Sequence, residues 1–333
     1  MKLNTAKLLK EIEKAAQGSS FGSASDHPIL PFIWEFDQKG ILTPDKLLIS
    51  EGFLRKENID DIFPQNLKSK RIDLIEAIQG DDQLRQETFD FLSSSNISVD
   101  DVNVNNIYPQ KLRYLFLDKK SLIEKMHKND QRQKELLDFL SSNCKLVEAY
   151  KATKCDTDDY PGNEFESFPL IVAEFSVNQW IGFVPKIDVD SSAYRAEKIR
   201  DDAICFSKQK GETDESLDFF LNEVVERLSS MKFITRQYYE PDHEVDTYIL
   251  ETAKNKETLL SRLMYSNGFI NICRFEDFSN EFENLKPLDE LLRSNLTDLR
   301  EYVVGCMSIF YLYDVGQTIN GDWVGVRTAA VWT

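Results

Sequence analysis

The sequence predicts an α+β protein in which a helix and an antiparallel sheet occur twice in tandem, in copies of unequal length. Three observations carry this reading. An Asp-His segment stands ahead of a strand-like run twice, an amphipathic helix precedes each occurrence, and a similar hairpin pattern closes each half. At 333 residues the chain is long enough for two ordinary domains.

The first helix is read from Leu8, Leu9, Ile12 and Ala16, a 3.6-residue spacing that ends at Gly18. Ser25-Asp26-His27-Pro28 follows, then the apolar run Ile29 to Glu35. The second helix is read from Leu217, Phe220, Leu221, Val224, Val225 and Leu228. Pro241-Asp242-His243 and a run closing on Glu251 follow it in the same order. The tails match without gaps, Val172–Val184 on Val315–Arg327. Asn320-Gly321 signals a hairpin because both residues accept positive φ, and Asn178, aligned with Gly321, is the non-glycine residue best suited to that conformation.

These matches divide the chain into 1–190 and 191–333. The surplus of the first copy falls at about 45–143 and is itself duplicated. Ile62–Lys68 resembles Ile107–Arg113, Leu74–Glu76 resembles Leu122–Glu124, and Asp90–Ser94 resembles Asp138–Ser142. The expectation is an inserted pair of helical segments ended by Ser-rich turns.

Composition excludes several functions. Lys+Arg number 40 against 57 Asp+Glu, a formal charge of −17. Such a balance argues against a nucleic-acid binder or a protein docked on an anionic membrane. The longest uncharged stretch, Tyr302–Tyr313, falls well short of the roughly 20 apolar residues of a spanning helix. No apolar leader is visible, and the five cysteines are widely spaced with no CxxC pair. The expectation is a cytoplasmic protein without cofactors.

Few residues suggest catalysis. There is no P-loop, GxGxxG, HExxH or GxSxG motif. His27 and His243 occupy equivalent places, either through a retained role or as strand-edge residues bonded to the neighbouring loop. The expectation is a protein that is not an enzyme. Charge points elsewhere, because Gly211–Glu251 holds eleven acids against three bases. Those on the helix read as a solvated face. Glu240, Asp242 and Glu244 lie between helix and strand, where binding residues concentrate. Thr333, beyond the last strand-like run, offers a carboxylate and a hydroxyl that can together chelate a hard cation, or else is a frayed terminus.

The same segments resemble the nuclease A inhibitor family of bacteria. The likeness lies in Phe21-Gly22-Ser23-Ala24-Ser25-Asp26-His27-Pro28, in Phe32-Ile33-Trp34-Glu35, and in Val315-Gly316-Gln317-Thr318, Gly321-Asp322-Trp323-Val324-Gly325-Val326, Thr328 and Val331-Trp332-Thr333. The resemblance implies an αβα sandwich, an antiparallel sheet with helices on its faces. It also implies a protein partner, a magnesium-dependent, sugar-non-specific nuclease. In the family a C-terminal threonine reaches the nuclease's catalytic magnesium, helped by a glutamate ahead of the first strand. Carried onto this chain, these are Thr333, in contact with the partner's metal only in the complex, and Glu240, with Asp242, Glu244 and Trp332 beside them. Ala24 stands at the glutamate position of the first copy. Phe282 stands near the place of a further tryptophan contact. The alternative is an interaction module of the same fold with a non-nuclease partner, and a weaker one is an enzyme using His27 or His243.

Overall fold

The computed structural model describes residues 3–20, 27–59, 62, 119–153, 167–186, 215–231, 233–235, 243–245, 248–275, 283–306 and 309–331. Their helices are α1 (Leu3–Ala16), α2 (Phe36–Lys39), α3 (Pro44–Ser50), α4 (Lys119–Asn143), α5 (Glu215–Ser229), α6 (Lys256–Ser266) and α7 (Lys286–Asn295). Their strands are β1 (Leu30–Trp34), β2 (Leu54–Glu57), β3 (Leu146–Thr153), β4 (Ser167–Ser176), β5 (Gln179–Pro185), β6 (Phe233–Thr235), β7 (His243–Val245), β8 (Tyr248–Ala253), β9 (Ile270–Arg274), β10 (Thr297–Cys306), β11 (Ile309–Gln317) and β12 (Trp323–Val331).

The protein is α+β. Two five-stranded antiparallel sheets run β1–β12–β11–β10–β9 and β2–β3–β4–β5–β8, and β6 and β7 form a two-stranded ribbon. The chain divides into two compact units, both discontinuous in sequence. One comprises Met1–Leu54, Asn178–Gly211 and Ile249–Thr333, the other Arg55–Val177 and Glu212–Tyr248. The boundary expected at 190 lies outside the described residues. Within the segment expected to be a helical insertion, the described residues form α3, β2 and α4, and 63–118 lie outside the description.

In the first unit, the apolar spacing read for α1 produces its buried face. Leu8, Ile12 and Ala16 pack with Leu288 and Leu292 of α7 and with Val324 and Val326 of β12. Gly18, at φ 73°, takes the chain out of the helix. Alternation along β12 turns Arg327 to the opposite face, where Glu51, the residue after α3, receives it. Helices therefore serve both faces of this sheet. Helix α6 starts from a side-chain cap, Asn255 Oδ1 accepting from the Thr258 amide at 2.8 Å.

Two hairpin tips behave as their residues require. Asn178 sits at φ 60° and Gly321 at φ 87°. Asn320 does not adopt positive φ. The Thr318 amide donates to the Asp322 carbonyl and the Gly321 amide to the Thr318 carbonyl, making a three-residue loop that needs one left-handed residue, not two.

In the second unit, α4 and α5 meet through aromatic rings. Phe220 lies 5.3 Å from Phe139 and 4.6 Å from Phe175, and the Arg227 guanidinium stands 4.0 Å over Phe139. Leu217, Phe220, Val224 and Leu228 form the buried stripe of α5, while Val225 stays exposed.

Candidate functional site

Of the residues expected to act, Glu240, Asp242, Phe282, Trp332 and Thr333 lie outside the described residues. Glu244 is placed by its backbone in β7, opposite Ile234 of β6. What the structure does define is the strand leading toward Thr333 and, among the described residues, several that hold it.

That strand, β12, is interior to its sheet. It pairs antiparallel with β11 along its whole length, from Trp323 opposite Gln317 to Val331 opposite Ile309. On its other side β1 covers only the first part, from Trp323 opposite Trp34 to Arg327 opposite Leu30. Two glycines allow this close sheet. A Cβ on Gly325 would fall 1.9 Å from the backbone oxygen of Asp314, and one on Gly316 would fall 2.8 Å from Leu296 Cβ. The glycines of the Val-Gly-Gln-Thr and Val-Gly-Val segments are therefore demanded by packing.

At its start, β12 is anchored by Asp322. The Thr5 hydroxyl donates to its Oδ2 at 2.8 Å and the Phe36 amide to its Oδ1 at 3.0 Å, so one buried carboxylate ties α1, α2 and β12 together. Farther along, Glu51 Oε2 accepts from Arg327 Nη1 at 2.6 Å and from the Tyr313 hydroxyl at 3.2 Å. One residue on, the Thr328 hydroxyl donates to the Pro28 carbonyl at 3.1 Å. Sequence reasoning missed Thr5, Glu51 and the supporting role of Asp322. Only Asp322 carried a signal, its place in the repeated hairpin.

The electrostatics of the sheet are unusual in one row. Asp314 is fully enclosed, and burial first, then Glu301 and Asp289, push its carboxyl well above the ordinary range. Elsewhere, burial pushes the Cys144 thiol up to about 11, so it keeps its proton at neutral pH and is a poor nucleophile. Cys273 is fully buried, in a core cluster with Val303, Phe310, Leu312 and Ala330. The backbone carbonyl of His27 lies 3.4 Å from the Thr328 hydroxyl, and His243 opens β7 opposite Thr235. Among the described residues no three His, Cys, Asp or Glu side chains come close enough to hold a metal, and no helix is long and apolar enough to cross a membrane.

Comparison with known proteins bears on this same strand. The family described as nuclease A inhibitor-like protein matches residues 229–333, from the last residue of α5 through β12 to Thr333. No curated protein and no solved structure matches the chain. Residues 229–333 are thus similar to a family of inhibitors, and four of their strands lie in a sheet whose fifth, β1, comes from outside the matched segment.

Proposed function

We propose that this chain is a cytoplasmic protein inhibitor of a magnesium-dependent, sugar-non-specific nuclease. One observation carries the reading, the family match over 229–333, which includes the last residue, Thr333. In the proposed complex Thr333 supplies a carboxylate and a hydroxyl to the open coordination positions of the partner's magnesium, a cation that prefers oxygen ligands. It excludes substrate and the attacking water from the metal. Glu240, Asp242 and Glu244 present negative charge to a cleft built for phosphate, which speeds encounter. Trp332 and Phe282 supply apolar contact beside them.

The tandem reading, 1–190 and 191–333, belongs to the same proposal. Asn178 and Gly321, aligned in sequence, share the left-handed conformation at their hairpin tips. In the sheet orders β1 of the first copy neighbours β12 of the second, and β8 of the second neighbours β5 of the first. On the tandem reading each copy lends its first strand to the other, and this strand order supports that reading.

A titration of such a nuclease with the full chain and with a variant ending at Trp332 tests the function. Stoichiometric inhibition, at least tenfold weaker in the truncated variant (~1.4 kcal/mol), is the expected result. Equal inhibition by both would keep the function and remove the metal-directed terminus. Absence of inhibition by either would favour the second reading, an interaction module with a non-nuclease partner. Ala24 in place of the family's glutamate, and Phe282 in place of its tryptophan, favour that reading.

A further inference from the structure

We infer that residues 1–51 aim the end of the chain, with Thr328 and Arg327 as the positioning residues through which they do so. The inference rests on the reading above, since it concerns the same terminus, and it assigns a task to a segment outside the family match.

The argument begins where β1 stops. Up to Arg327 the strand β12 has a hydrogen-bonded neighbour on each side. From Thr328 onward β1 no longer pairs with it, and among the described residues regular pairing continues with β11. A strand that loses one neighbour is free to pivot about the other, and chain ends fray where nothing ties them. At this step two consecutive side chains are tied instead. Thr328, itself buried, bonds the Pro28 carbonyl. Pro28 is fixed in turn by an isolated bridge to Ser20, and the Ile29 amide donates to the Ser19 carbonyl at 3.1 Å. The exit of α1 thereby holds the acceptor in place.

Arg327 points the other way, as neighbours in a strand must. Its partner Glu51 is only 15% exposed and is also bonded by Tyr313, the residue directly opposite Arg327 on β11. The strand is therefore gripped from both faces of the sheet, at the point where its pairing with β1 ends. Pro28 and Glu51, the residues that grip it, both belong to the first 51.

Geometry makes the grip matter. Five residues reach roughly 17 Å at most. A pivot of about ten degrees at Thr328 would then move Thr333 by about 3 Å, more than the full length of a magnesium–oxygen contact of about 2 Å.

The test uses the full chain with Thr328→Val, which keeps the shape and removes the hydroxyl, and Thr328→Ser, which restores it. Backbone amide exchange is followed at 329–331 and across β9 to β11, beside inhibition of the nuclease. The expected result for Thr328→Val is exchange at least tenfold faster at 329–331, unchanged protection in β9 and β10, and inhibition weakened at least tenfold. Thr328→Ser should return both toward the parent. Should Thr328→Val not fold, Glu51→Gln provides the same comparison from the other face. Unchanged exchange at 329–331, or exchange raised equally through the sheet, would overturn the inference. If the parent chain inhibits no nuclease, the functional reading falls, and the exchange measurement alone still decides whether the terminus is positioned in this way.

Discussion

Glu301 and Asp314 stand directly opposite each other on β10 and β11, both buried, with Asp289 of α7 near enough to add to the repulsion. Burial raises the Asp314 carboxyl most, and the two neighbouring acids raise it further. A folded-state value above the unfolded one means that the native protein keeps a proton which the unfolded chain releases first. Stability therefore falls as pH rises from the ordinary carboxylate range toward that raised value. Asp314→Asn, which cannot ionise, should be more stable than the parent at pH 7 and nearly equal to it at pH 4. Urea unfolding at the two values measures this, and a parent with no pH slope that Asp314→Asn removes would refute it.

Asp322→Ala should be costly for a different reason. It strands the buried Thr5 hydroxyl and the Phe36 amide together, a loss of about 3 kcal/mol. Asp322→Asn keeps one acceptor and should lose less. Thermal unfolding of the two variants separates the outcomes.

Gly325→Ala tests whether this motif glycine serves packing. With backbone 1.9 Å from the new Cβ, nothing flexible can yield. The expected loss is about 3 kcal/mol or more, at the upper end of overpacking costs. A variant of normal stability would show that β11 and β12 can separate without penalty.

Ser261 and Asp45 form a reciprocal pair. The Ser261 hydroxyl donates to Asp45 Oδ1 at 2.9 Å and its oxygen accepts from the Asp45 amide at 3.1 Å. Burial raises the Asp45 carboxyl, and the Ser261 bond works against that rise. Ser261→Ala should therefore destabilise by about 1–2 kcal/mol at pH 7. The loss should shrink as pH falls and the carboxyl takes up its proton. A loss independent of pH would mean that the hydroxyl serves the amide alone.

Periodicity exposed the elements but not their partners. The 3.6-residue spacing of Leu8, Ile12 and Ala16 marks a buried helical face wherever the helix ends up. Asn178 and Gly321 disclosed their hairpins because positive φ is a local demand. The pairing of β1 with β12 was not legible. An apolar run such as Leu30–Trp34 says that a strand exists and is silent on which strand lies beside it. Glu51 was invisible for a related reason, since an acid after a short helix reads as solvent-facing until Arg327 and Tyr313 converge on it. The candidate site was legible only through its resemblance. Nothing in the residue types of Glu240 or Thr333 alone distinguishes a binding group from a solvated loop and a frayed end.

The long tie between Phe36 and Asp322, 286 residues apart, also governs how the protein can be made. A ribosome delivers β1 long before the strand that completes its ladder. Until β12 emerges, the Leu30–Trp34 edge waits unpaired, and contacts of such separation form slowly. Pro31, within that edge, withholds one amide from any stray strand that comes alongside it. A growing chain thus has no finished sheet and no fixed terminus. Any activity that depends on the end of β12 would switch on only once synthesis has passed it.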